Sequence, residues 1–282
     1  MTHSSLPKGQ QLARTRWNTH ESGAAFDRKK TPYLTEQAQR FIAEQSFCVI
    51  AGLDASNELR SLLLMEGAGC IEVLDAQTCL LRIEKRNEYI PLLEVLQSSL
   101  DGKIVKLGLF FICHPTRERL CVQGTVELLT RDLLESLYFP GSVQHIEARL
   151  HVSQAFFHCI KYVRTRIAGL TDTTEIFFGQ EWHKDQLLNC NQTFLSKEMA
   201  AFIQQQIVCF IGTVDGEGQC AINHRGGAPG FLVPLLPTRD APGGIVLLPD
   251  YAGNGAFEAI GNILETAMAT LVIPNYMAQI AL

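Results

Sequence analysis

The first clear period in the chain is helical: Leu34, Ala38, Phe41 and Ile42 share one face. Residues 1–33 before it are polar, contain Gly and Pro and show no period, so they read as an arm that folds over the first domain or extends from it. Residues 47–53 form a β-type run, 54–57 a turn, and 58–64 the returning strand. Residues 71–74 and 78–83 predict a hairpin, and 91–100 a helix that opens on Pro91. Two further strands, 105–112 and 119–129, flank a turn at 114–117. Short strands with one or two helices predict a small six-stranded barrel over 34–130 rather than a doubly wound sheet. Residues 131–194 read as a bridge carrying a helix over 153–165, with Ala155, Phe156, Cys159, Ile160 and Val163 on one face.

A second domain, 195–282, begins after the bridge. Ser196 is a good N-cap for its first helix. Strands follow at 208–214, 219–224, 231–236 and 244–248, then a helix at 257–265 and a strand at 268–273. This order copies the first domain at an offset of 161 residues: Phe41 falls on Phe202, Gln45 on Gln206, Cys48 on Cys209, Asp54 on Asp215 and Gly69 on Gly230. A repeat this long is a duplicated domain, not a solenoid period. The second copy has no clear counterpart of the strand at 119–129, so its barrel is expected to leave a strand edge that something must cover. We therefore expect a homodimer with the second domains near its interface.

Composition narrows the class. The chain has 282 residues, 46% of them hydrophobic and 19% charged, and a formal net charge of −5. That is a globular composition long enough for two cores. With no basic block, neither nucleic acid nor an anionic membrane is the expected partner. No apolar run approaches the ~18 residues of a spanning helix. Nine scattered cysteines without a C-x-x-C fit a reduced, cytoplasmic setting. Cys113-His114 and His158-Cys159 are adjacent pairs whose side chains diverge, so no metal site is expected.

The candidate chemistry lies at Asn223-His224-Arg225-Gly226-Gly227-Ala228-Pro229-Gly230-Phe231. Arg225 can grip an anion with two parallel bonds, His224 can donate or shuttle a proton, and the glycines offer uncovered N–H groups. The first copy holds Leu64 where the second has Arg225, and Met65-Glu66 where it has Gly226-Gly227, so one anion site per chain is expected.

With Pro249-Asp250-Tyr251-x-Gly253-Asn254 and Phe257-x-x-Ile260-Gly261-Asn262 added, the second copy resembles the pyridoxamine 5'-phosphate oxidase-like, FMN-binding split-barrel proteins, in particular a tandem-domain branch of unassigned substrate. The first copy resembles them through Thr116-Arg117-x-Arg119-Leu120-x-Val122-x-Gly124, and the resemblance extends over residues 35–282. The resemblance implies a mostly β fold with some α, two tandem six-stranded split β-barrels, and FMN in the groove between them. It implies that Arg225 contacts the flavin, that Asn254 and Asn262 line the groove, and that Arg117 and Arg119 reach in from the first copy. Asn223, His224, Gly226, Gly227, Pro229 and Gly230 complete the expected cofactor-binding set, and no catalytic residue is assigned. Simpler relatives place a Ser/Arg-Lys pair on the phosphate-holding helix; here Ala256, Phe257 and Glu258 stand there, so FMN is expected to be weakly held. The function so implied is that of an FMN-dependent oxidoreductase of unknown substrate. Two alternatives are a split barrel for haem or another planar anion, with His224 or His114 as axial ligand, and a non-catalytic assembly module.

Overall fold

A computed structural model describes residues 6–65, 71–84, 89–99, 102–129, 145–159, 163, 193–251, 253, 255–275 and 280–281. The class is mostly β with some α, built on antiparallel sheets, as expected. The first half contributes α3 (Glu36–Ala43), β1 (Cys48–Leu53), β2 (Leu59–Leu64), β3 (Ile71–Asp75), β4 (Thr78–Glu84), α4 (Ile90–Gln97), β5 (Val105–Cys113), β6 (Glu118–Leu128) and β7 (His145–Phe157). These strands form one seven-stranded sheet in the order β2-β1-β5-β6-β7-β4-β3.

Seven strands rather than six is a correction, and so is the helix expected over 153–165: Ser153 to Phe157 end β7. Along β7, Ile146, Ala148, Leu150 and Val152 are buried in strict alternation. The register against β6 then shifts, Gln123 pairing with Gln154 but Gly124 with Val152, so that Ser153 is the extra residue of a bulge. The bulge resets the alternation and leaves Ala155 and Phe156 buried side by side on opposite faces. A strand buried on both faces gives the same short apolar run as a helix. Residues 160–162 and 164–165 of that expected helix lie outside the described residues.

The second half contributes α5 (Lys197–Gln205), β8 (Val208–Val214), β9 (Cys220–Gly226), β10 (Val233–Leu235), β11 (Ile245–Leu247), α6 (Glu258–Thr266), β12 (Ala269–Val272), β13 (Pro274–Asn275) and β14 (Ile280–Ala281). The copy holds down to single hydrogen bonds. Thr35 Oγ1 accepts from Ala38 N, and Ser196 Oγ from Met199 N. Gln45 Nε2 donates to Phe41 O at 2.9 Å, and Gln206 Nε2 to Phe202 O at 2.9 Å. Asp54 Oδ1 accepts from the N–H groups of Ser56 and Glu58; Asp215 Oδ1 accepts from those of Glu217 and Gln219. These two turns differ in charge. Burial pushes Asp54 up, but the N–H donors and Arg60 outweigh it and hold the carboxyl below its usual range. Arg60 corresponds to Ala221, and without that cation burial lifts Asp215 above the usual range.

The copies part after the hairpin. In the first half, β6 and β7 connect β5 to β4. In the second, β12-β8-β9 is a three-stranded sheet, and β10–β11 stands as a separate ribbon. Val233, Leu235, Ile245 and Leu247 are 42–50% exposed on that ribbon. Among the described residues β12 has no ladder partner besides β8; its Thr270 hydroxyl meets that of Ser61 on β2 over the face of the sheet at Gly212.

The two halves share a core. Along β5, Val105, Leu107, Leu109 and Phe111 fill the interior of the first half. Phe110 and Ile112 point the other way, to meet Phe210, Val214, Cys220 and Ile222 of the second. Burial on both faces explains why β5 is apolar at almost every position. Gly108 permits this approach, since a Cβ there would lie 2.6 Å from Cys220 O.

The N-terminal arm, expected to be aperiodic, is two helices, α1 (Lys8–Arg16) and α2 (His20–Asp27), and α1 packs on α6 of the second half. Its buried residues are Gly9, Gln10, Ala13 and Arg14, small or polar, so no apolar stripe announces the contact. The helices cross at Gly9 and Gly261; a Cβ on Gly9 would lie 1.9 Å from Gly261 O. Arg14 is bound by both carboxylate oxygens of Asp27, at 2.6 and 3.0 Å, and donates from Nε to Ala256 O. Trp17 stacks on Phe257 with centroids 5.0 Å apart. Beyond α2 the arm bridges Thr31 to Ala155 on β7. Among the described residues no helix is long and apolar enough to cross a membrane.

Candidate functional site

β9 presents two faces. Cys220, Ile222 and His224 turn toward the first half, while Asn223 and Arg225 turn the other way, beneath the 249–257 loop and α6. A cavity of about 70 Å³ lies where this second face meets the first half and the arm. Asn223, Arg225, Asp250 and Glu258 line it from the second half, His158 from the end of β7 and Phe26 from α2.

Its charges come in pairs. Arg225 Nη2 lies 3.0 Å from Asp250 Oδ1. Lys30 Nζ lies 3.7 Å from Glu258 Oε1 and 3.6 Å from Asp27, over the rings of Phe156 and Phe26. Glu258 is the first residue of α6, where exposed N–H groups favour an acid. Deeper in, burial pulls Arg119 down to about 10, and the positive charge of Arg225 acts in the same direction. Burial and the Arg119 charge push His224 well below its ordinary range. They push His158 down to about 3. Both imidazoles are therefore neutral at pH 7. Among the described residues neither ring nitrogen of His224, which is 5% exposed, has a hydrogen-bond partner. His158 Nε2 lies 2.9 Å from Cys121 Sγ, which also donates to Ile222 O at 3.2 Å. Burial raises that thiol well above its ordinary range, so it stays protonated and is not a thiolate nucleophile.

The expected site residues separate in space. Asn223 and Arg225 line the cavity. His224 faces the other way, against Phe210 and 6.3 Å, ring to ring, from His114. Arg119, expected to reach in from the first copy, is buried, close enough to Arg225 to feel its charge. Arg117 is exposed at the tip of the 114–117 turn, with φ 62°. Asn262 is buried under α6 and donates to Thr213 Oγ1. Asn254 lies outside the described residues. The glycine-rich stretch does not offer its N–H groups to the cavity: Gly227 N donates to Ile207 O and Gly230 N to Gln204 O. Gly226 ends β9, and Pro229 is exposed. Special dihedrals were read correctly, with Gly230 at φ +86°, but their use is to turn the chain onto α5.

Sequence reasoning missed that His158, Phe26 and Asp250 line the cavity. Nothing local marks the first two, because only the β7 ladder and the docked arm bring them to Arg225. Asp250 sat within a quoted motif, but its partner 25 positions away was not evident.

The residues do not fit FMN as they stand. Ligand pockets run to roughly 300–1,000 Å³, and this cavity holds a group the size of a small anion. Glu258 places a carboxylate at the cavity, which opposes a phosphate, as its identity led us to expect. Haem, larger still, would have to part the two halves to reach His224 or His114. Among the described residues no group of three or more His, Cys, Asp or Glu side chains is arranged to hold a metal.

No protein-family profile and no curated protein matches the chain. Several solved structures resemble it. One is a protein related to general stress protein 26 of B. subtilis (pyridoxinephosphate oxidase family) from Clostridium acetobutylicum, at 10% identity and a TM-score of 0.30 over 43% of this chain and 85% of that one. Another is HutZ, the heme storage protein from Vibrio cholerae, at 14% identity and 0.29 over 44% and 93%. A third is HupZ of Group A Streptococcus, at 12% and 0.31 over 44% and 93%. At these values the likenesses carry no assignment of function, and the site is read from its own residues.

Proposed function

We propose that the chain binds a small anionic ligand on Arg225, at the junction of its two halves. The observation that carries this reading is the cavity itself. Asn223 and Arg225 from the second half, His158 from just past β7 and Phe26 from the arm converge there, with the Arg119 charge close behind. Arg225 is the cation of that lining, and the carboxylates of Asp250 and Glu258 stand beside it, so an anion is favoured only where it is held on the guanidinium itself. Inorganic phosphate, which matches the cavity in size, is the first ligand to test; FMN, which the family resemblance implies, would place only its phosphate there. If bound, its isoalloxazine would supply the redox chemistry, and no residue here is assigned a catalytic step. A phosphate on Arg225 with the rest of the molecule outside the cavity implies loose binding.

The test is titration of the protein with FMN, followed by flavin fluorescence, and with inorganic phosphate, followed by calorimetry, in wild type and Arg225→Ala. A lost charge-assisted bond is worth roughly 1.5–3 kcal/mol, so affinity should fall about ten- to a hundredfold. Equal affinity in the two proteins would refute the role of Arg225. Absence of binding by both ligands would remove the reading altogether and favour an assembly module.

A further inference from the structure

The cation that the proposed ligand needs is already engaged. Arg225 Nη2 is 3.0 Å from Asp250 Oδ1, and the two side chains are 22% and 37% exposed. Asp250 stands on the loop leading to α6 and lines the same cavity. The contact uses one edge of the guanidinium. Arg225 Nε is buried and has no hydrogen-bond partner among the described residues. A guanidinium fork binds an anion best through two parallel N–H groups, so the present pair leaves its second donor unmet.

We propose that Asp250 is a built-in competitor for the anion site. Its carboxylate occupies Arg225 in the unliganded protein, and a ligand binds by displacing it. This inference rests on the reading that the ligand is held by Arg225, and it adds what sets the threshold for entry. A half-exposed pair is cheap to open, because Asp250 can return to water on an exposed loop. An anion making a single contact exchanges like for like and gains nothing. One that takes both Nε and Nη2 gains the bond that Asp250 leaves unmade. The competitor thus admits ligands with two oxygens in one plane, such as a phosphate, and turns away singly contacting anions such as chloride.

The experiment is a double-mutant cycle read by calorimetry with inorganic phosphate, and in parallel by FMN fluorescence. The proteins are wild type, Asp250→Asn, Arg225→Ala and the double variant, with Asp250→Ser as a second replacement should the amide disturb the loop. Removing the competitor should tighten phosphate binding about fivefold, the worth of a partly exposed ion pair. In the Arg225→Ala background the same substitution should do nothing, because the two act through one contact. Equal affinity of wild type, Asp250→Asn and Asp250→Ser would overturn the competitor while leaving the Arg225 site intact. An equal gain in the Arg225→Ala background would also overturn it, by showing a general charge effect. If none of the proteins binds either probe, both this inference and the proposed function fall.

Discussion

Gly9→Ala tests whether the arm is part of the folded body, because two effects of opposite sign meet at that position. On an isolated helix the change is favourable: alanine is preferred to glycine by about 0.8–1.0 kcal/mol. In the docked arm the new methyl would lie 1.9 Å from Gly261 O, where ordinary contact begins at 3.4 Å. The obstacle is backbone, so no side chain can swing aside. Overpacking of this kind costs roughly 1–3 kcal/mol. A shift large enough to relieve it would also strain the Gly9 N to Glu265 Oε2 bond at 3.1 Å and the Trp17–Phe257 stack. We take the upper end of that cost and subtract the helix gain. The variant should then be destabilised by about 2 kcal/mol, or about 4–8 °C in Tm at this chain length. Thermal melting by circular dichroism reads the loss, and hydrogen exchange across 8–16 shows whether the arm opens first. Gly253→Ala, whose methyl would meet nothing nearer than Tyr251 O at 3.8 Å among the described residues, is the control. A Gly9→Ala protein that melts at or above the wild-type temperature would refute the docking.

Two further outcomes follow from His158 and from the ribbon. His158, with a folded pKa of about 3 against an ordinary 6.5, takes up its proton more readily when unfolded. Stability contributed by the neutral ring is therefore full above pH 6.5 and is lost as pH falls toward 3, at up to about 1.4 kcal/mol per pH unit. Urea midpoints at pH 7.5, 6 and 5 should show a shallower loss in His158→Gln than in wild type, and parallel curves would contradict the burial argument. The cross-strand pairs Val233–Leu247 and Leu235–Ile245 lie exposed on β10–β11 and predict a homodimer formed through the second half. Light scattering should show Leu235→Lys/Leu247→Lys shifting the mass toward monomer, and a wild-type protein that stays monomeric at high concentration would exclude that interface.

Much of the local structure was legible because its causes are local. Ser196, read as a cap, and Thr35, its unread counterpart, each cap a helix with a hydroxyl that accepts from an N–H of the first turn. Asp54 and Asp215 formed turns because an aspartate can accept from two N–H groups downstream. The 161-residue offset survived divergence because it rests on those caps, those turns and one alternating core pattern. The site was less legible. Arg225 was singled out for its charge, but the Gly226–Gly230 stretch was read as a ligand cradle when the N–H groups of Gly230 and Gly227 are taken by Gln204 of α5 and by Ile207 just beyond it. His224 sits one residue from Arg225, and the period of two sends it to the opposite face.

The sequence by itself determined the fold class, the starts of α3 and α5 and the turns at Asp54 and Asp215, because each follows from contacts within a few residues or from a period that repeats. Only the tertiary structure decided three things. It made 145–157 a strand, because β6 and β4 offered ladders on both sides of it. It docked an arm without an apolar stripe, because two glycines let helix backbones touch and a buried Arg14 found Asp27 and Ala256. It also brought His158, Phe26 and Asp250 to Arg225. Those contacts span from tens of positions to about two hundred, a separation at which neither period nor propensity carries any signal.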